Sequence, residues 1–170
     1  EKRIMEDITV DVRIFPRDEL ELMLHNKSIG NAAIISFYDP PSNRTPRDYH
    51  PIDFSLYNNP VIKIGVHDID IEILKDYGLS FDTYFPEAPA LAKFIYKAVL
   101  SNREIICQCE YGQSRSPACA AAILEHFCKN GIRIFANYKY YPNQLIFNKT
   151  LDALRKYKLA NEHKIEETKQ

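Results

Sequence analysis

The sequence predicts an α/β fold, a mostly parallel central sheet flanked by helices, and three observations carry that prediction. Short apolar runs at Ala32–Phe37, Val61–Val66 and Glu104–Gln108 read as buried strands. Longer stretches with helical periodicity, Pro86–Leu100 and Pro117–Phe127, alternate with them. Strands that alternate with helices favour parallel pairing, because parallel neighbours need a crossover. In such a sheet ligands belong at the carboxyl ends of the strands.

Thr9–Ile14 alternates apolar and polar residues and reads as a first strand. Pro16-Arg17-Asp18-Glu19 opens a short helix to about His25, with Leu20, Leu22, Met23 and Leu24 available for burial. After the strand Ala32–Phe37, the stretch 39–59 holds Pro40, Pro41, Pro46 and Pro51 and reads as a long turn-rich loop. Loops of that length in compact domains are often functional. Val61–Val66 is the next strand and ends at His67-Asp68-Ile69-Asp70. Pro86–Leu100 places Leu91, Phe94, Ile95 and Ala98 on one face. Glu104–Gln108 is expected to be the central strand. The helix behind it closes at Lys129-Asn130-Gly131, with Gly131 as the expected left-handed cap. A last helix is expected from about Pro142 to Leu159, and the charged tail 161–170 is expected to fray. The whole chain, 1–170, reads as one domain with its core in about 9–158.

Composition excludes several classes. A net charge of −1 gives no electrostatic case for nucleic acid or a membrane surface as the main partner. No apolar run approaches the roughly 20 residues of a membrane span, and Glu1–Asp7 lacks the apolar core of a signal peptide. The three Asn-x-Ser/Thr matches, at Asn26, Asn43 and Asn148, are then accidental. Cys107, Cys109, Cys119 and Cys128 cluster on one strand and the helix after it, unlike a secreted disulfide framework. Their spacing does not suit zinc either, so no metal is expected. Reduced thiols in a cytoplasm fit, with Cys119 and Cys128 as small buried hydrophobes and Cys107 sharing a strand face with Cys109.

The chemistry concentrates in Cys109-Glu110-Tyr111-Gly112-Gln113-Ser114-Arg115-Ser116, a C-x2-G-x2-R-S pattern between an apolar strand and an Ala-rich helix. A strand feeding a tight loop onto a helix N-terminus makes an anion site, since loop and first-turn N–H groups point inward. The same field favours a thiolate, and the planar fork of Arg115 suits two phosphate oxygens. Requiring Gly and Ser as well as Cys and Arg brings chance occurrence to about one chain in a thousand. The bland alternative is an ordinary Gly turn between core elements.

This segment resembles the signature loop of the cysteine-dependent protein tyrosine phosphatases. It is most similar to that of the dual-specificity branch, whose loop commonly ends as Ser114-Arg115-Ser116-Pro117 does here, and to compact bacterial members of it. The resemblance is strong over residues 61–130 and softer on either side. It implies a phosphoester hydrolase that uses Cys109 as nucleophile and forms a phosphocysteine intermediate. The backbone N–H groups of Glu110, Tyr111, Gly112, Gln113 and Ser114, with Arg115, bind the phosphate. Ser116 hydrogen-bonds the departing thiolate, and no cofactor is needed. One departure is Gln108, where most of these phosphatases carry His.

The resemblance also implies an Asp general acid from the loop after the preceding strand. Asp68 ends Val61–Val66 in the matching way, though it lies 41 residues before Cys109, with the extra length in 71–85. Asp70 and Asp82 are the alternatives, and either Asp68 or Asp70 could instead be a turn or cap carboxylate. The expected partner is a phosphorylated protein or other phosphomonoester, with phosphate or sulfate bound by the loop. The acidic loop argues against polyanionic inositol phosphates. Tyr38, Tyr49, Phe54 and Tyr57 are candidate walls for an aryl phosphate, and Tyr140-Tyr141-Pro142-Asn143 reads as a helix-start turn. Two other classes remain open: a non-catalytic phosphate-binding module, and a Cys-loop arsenate reductase or sulfurtransferase.

Overall fold

Four apolar segments pair through their backbones, because N–H and C=O groups buried on both sheet faces need partners. The computed structural model of the chain describes residues 8–168; Glu1–Asp7, and with it the expectation about an export signal, lies outside them. Strands β1 (Val12–Pro16), β2 (Ala33–Tyr38), β3 (Val61–Gly65) and β4 (Ile105–Cys109) form a sheet of order β1-β4-β2-β3. Every pairing is parallel, and β4 is central, between β1 and β2. The helices are α1 (Arg17–His25), α2 (Ala88–Leu100), α3 (Arg115–Cys128), α4 (Ile132–Phe135), α5 (Gln144–Ala160) and α6 (Glu162–Thr168), with a 3-10 helix at Ile71–Tyr77. No helix among the described residues is long and apolar enough to cross a membrane.

Side-chain alternation along the strands sorts two cores. Ala33, Ile35, Phe37, Ile105, Cys107 and Cys109 join the large core with α2, α3 and α5. Ile34 and Ile106 face the other way, onto Leu20 of α1 and Ile52 of the long loop. The fully buried Ala118, Ala120, Ala121 and Ala122 let α3 sit close to the sheet and to α5.

The structure corrects four expectations at element ends and surfaces. The first strand runs Val12–Pro16 rather than from Thr9; β1 is an edge strand, where a terminal Pro removes no shared hydrogen bond. The left-handed cap of α3 is Lys129 (φ 53°), not Gly131 (φ −62°). Gly131 is needed for space, because a Cβ there would sit 2.9 Å from the Ala121 carbonyl oxygen and from Glu125 Cβ. Cys128 is exposed rather than buried. The tail does not simply fray: α6 forms in it, held by Ile165, which packs into the large core.

The added length before the central strand folds inward. Leu74, Tyr84 and Phe85 are buried, and the Phe85 ring meets Phe37 edge-on at 6.4 Å. Lys149 of α5 donates to the Phe81 carbonyl (2.6 Å) and to that of Tyr84. The segment 71–85 is thus packed onto the body of the fold.

Candidate active site

At the carboxyl end of β4 the chain turns through residues 110–114 into α3. Two constraints make Gly112 necessary. Its φ is +66°, and a Cβ would lie 2.9 Å from the Pro16 nitrogen. Three bonds pin the loop: Arg17 N–H donates to the Glu110 carbonyl (3.1 Å), Tyr141 N–H to that of Gln113 (2.7 Å), and Asn143 N–H to that of Ser114 (3.2 Å). The carbonyls of Glu110, Gln113 and Ser114 are therefore engaged by the surrounding segments. The N–H groups of Tyr111, Gly112, Gln113 and Ser114 donate to no backbone acceptor among the described residues. Such a ring of unpaired donors at a helix N-terminus is what an anion requires.

Cys109, Asp68, Ser114 and Arg115 line one pocket of about 280 Å3, together with Tyr111, Gln113 and Tyr141. Cys109 Sγ lies 3.0 Å from Ser116 Oγ, both buried beneath the loop. Arg115 is buried and donates through Nη1 to Asp39 Oδ1 (2.7 Å) and to the Val66 carbonyl (3.0 Å). Its Nε is buried without a partner among the described residues. Burial works against the guanidinium charge, but Asp39, Cys109 and Asp68 outweigh it and hold the Arg115 pKa above its ordinary value. An orphaned charged donor beside unpaired loop N–H groups favours an anion there.

Of the three candidate acids, the structure brings only Asp68 to the loop. Asp68 Oδ1 accepts from Ser114 Oγ (2.7 Å) and from Asn143 Nδ2 (3.0 Å). Asp70 occupies the cap position of the 3-10 helix, makes no side-chain capping bond, and lines a neighbouring cleft. Asp82 is exposed near Lys149 and does not line the loop pocket. The backbone before Asp68 is held by Tyr84, whose hydroxyl donates to the His67 carbonyl (2.5 Å). Burial, then the Asp68 charge, push the Tyr84 phenol up, which keeps it a donor. The His67 ring meets that of Tyr77 at a tilt of 54°, centroids 4.7 Å apart, and burial draws its pKa below the usual histidine value.

Other expectations are redrawn. Glu110 turns its side chain away from the pocket, accepting from Tyr49 Oη (3.3 Å) and lying 3.8 Å from Arg17 Nη1. None of Tyr38, Tyr49, Phe54 and Tyr57 lines the pocket; the exposed Tyr111 and Tyr141 do. Tyr57 instead donates to the Ala32 carbonyl (2.6 Å), and Phe54 packs on the smaller core. Gln108 points to the face opposite Cys109 and accepts a hydrogen bond from Ser36 in the neighbouring strand. Among the described residues no group of three or more His, Cys, Asp or Glu side chains could hold a metal ion.

Two residues were missed by sequence reasoning. Asp39, at the end of β2, was readable only from the rule that ligand-site residues collect at strand carboxyl ends. Asn143 does more than start a helix. Its Oδ1 caps α5 by accepting from Ile146 N–H (2.9 Å), while Nδ2 donates to Asp68 and to the Ile69 carbonyl (3.0 Å).

No family model and no curated protein matches the sequence. Solved structures do match its fold. PTPMT1 in complex with PI(5)P superposes with a TM-score of 0.53 at 10% identity, over 90% of this chain and 96% of that one. DUSP15 gives 0.51 at 16%, over 96% and 95%. The human tyrosine phosphatase-like serine/threonine/tyrosine-interacting protein gives 0.51 at 14%, over 92% and 96%. The chain therefore has the fold of the cysteine-dependent protein tyrosine phosphatases, in its dual-specificity-like form.

Proposed function

We propose that this protein is a cysteine-dependent phosphomonoesterase acting on phosphorylated protein, with phosphotyrosine as the substrate its pocket suits best. The observation that carries this is the gathering of Cys109, Arg115 and Asp68 around one pocket floored by unpaired loop N–H groups. In the first step the Cys109 thiolate attacks phosphorus, the P–O bond to the leaving group breaks, and Asp68 gives that oxygen its proton. The loop N–H groups and Arg115 hold the equatorial oxygens, where charge sits in the transition state. In the second step Asp68 takes a proton from water, the water oxygen bonds phosphorus, and the P–S bond breaks. Ser116, 3.0 Å from the sulfur, then donates a hydrogen bond to the released thiolate. The exposed rings of Tyr111 and Tyr141 stand where an aryl ring enters.

The test is hydrolysis of aryl phosphates, without metal, by the wild type, Cys109→Ser and Asp68→Asn. The serine variant should lose turnover entirely. Asp68→Asn should lose about 100-fold or more with phenyl phosphate, the low end for a general acid, and much less with p-nitrophenyl phosphate, whose leaving group needs little protonation. Phosphate binding without any turnover by the wild type would identify a binding module instead.

A further inference from the structure

Beside the loop pocket lies a second, larger cleft of about 630 Å3, between the Asp68–Ile73 segment and the start of α5. The two cavities share Asp68, Ser114 and Tyr141, so they adjoin. The buried, unpartnered Nε of Arg115 and the unpaired loop N–H groups place the phosphate at one end of this trough. A residue adjacent to the phosphorylated one then reaches the other end.

The lining of that end is of two kinds. Ile71 and Phe81 present apolar surface, 62% and 47% exposed. Asp70 and Glu72 add carboxylates to that of Asp68, and no Lys, Arg or His lines the cleft. Lys149, whose ammonium lies over the Phe81 ring, is tied to the Phe81 and Tyr84 carbonyls, so a second anion there would meet chiefly like charges. A purely apolar side chain would desolvate the carboxylates and leave them unpaired. A long stem with a cationic head satisfies both surfaces, as lysine and arginine do elsewhere.

Resting on the phosphatase reading above, we infer that this cleft is a specificity subsite for a lysine or arginine side chain next to the phosphorylated residue of a protein substrate. Asp70 and Glu72 are its specificity-determining residues. Phosphoproteins with basic flanking sequence are thereby favoured over acidic ones and over small polyanionic phosphoesters.

Three phosphotyrosine peptides that differ only in flanking Lys, Ala or Glu test this at low ionic strength, through kcat/KM of the wild type and Kd of the Cys109→Ser protein. The Lys peptide should exceed the Glu peptide about tenfold in both readouts, as a pair of exposed charge contacts allows, and the gap should narrow at high salt. Glu72→Lys should close or invert the preference. Equal affinity for the three peptides, or a preference that Glu72→Lys leaves intact, overturns the subsite. Because Kd needs no turnover, these results stand even if the wild type hydrolyses nothing. p-Nitrophenyl phosphate, too small to span the trough, tests the catalytic reading separately and shows that the Glu72→Lys loop remains formed.

Discussion

Replacing Asn143 separates the placing of the acid from the stability of the fold. Asn143→Ala removes the cap on Ile146 N–H and the Nδ2 bonds to Asp68 and to the Ile69 carbonyl, and spares the backbone bond to Ser114. A lost cap costs about 1 kcal/mol, a neutral hydrogen bond about 1 kcal/mol, and a bond to an exposed carboxylate about 1.4 kcal/mol. A destabilisation of about 3 kcal/mol follows if these add. For catalysis the ceiling is the whole general-acid effect, about 100- to 10,000-fold. Ser114 Oγ still holds Asp68 Oδ1 at 2.7 Å, so only one of two tethers is lost, worth about 1.4 kcal/mol or tenfold. The rate on phenyl phosphate should fall about tenfold, and that on p-nitrophenyl phosphate about twofold, since its leaving oxygen scarcely needs the proton. Asn143→Asp is the companion, because Asp caps as well as Asn. It sets a carboxylate oxygen where the donor lay, 3.0 Å from Asp68. Its retained cap is offset by repulsion from Asp68 and the Ile69 carbonyl oxygen, so it should be no more stable than Asn143→Ala by chemical denaturation and at least as poor a catalyst. Equal losses on both substrates would refute the argument, since that pattern reports a damaged phosphate loop rather than a misplaced acid.

The remaining predictions concern the loop, the clamp and the acid limb of stability. Gly112→Ala must place a Cβ 2.9 Å from the Pro16 nitrogen at φ +66°, and should cost about 1–3 kcal/mol by urea titration while abolishing phosphate protection against heat. Arg115→Lys keeps the charge but loses the planar guanidinium, whose Nη1 serves both Asp39 and the Val66 carbonyl; kcat/KM should fall about 100- to 1,000-fold, and a loss under tenfold would remove Arg115 from the transition state. His126 is half-buried, bonded to Tyr96, and its pKa is lowered from 6.5 to about 4, first by burial and then by Lys158 and Arg155. The unfolded chain binds this proton more readily, so stability falls as pH drops from about 6.5 through 4. The loss is about 1–2 kcal/mol once solvent screening is allowed for. His126→Gln should flatten that slope in urea titrations across pH 4–7.

By itself the sequence determined the parallel α/β sheet with β4 at its centre, and the placing of Cys109, Arg115 and Ser116 together. Both are local or periodic properties. Apolar runs bury strands, and a strand–loop–helix of fixed spacing can fold in few ways. The residues that steady this loop are not legible in that manner. Asp39 reaches Arg115 across 76 positions and Asn143 reaches Asp68 across 75; no spacing rule joins such pairs, and only the packing of β2, β3 and α5 around one strand end does. That Asp68, rather than Asp70 or Asp82, lies at the loop is likewise tertiary. The insertion at 71–85 buries Leu74, Tyr84 and Phe85, which carries Asp82 away while the backbone at His67 stays anchored by the Tyr84 hydroxyl. Gly131 and Cys128 show the same limit on a smaller scale. One is set by how near α3 passes and the other by which way a helix end faces, and both are distances between segments, which a linear pattern does not contain.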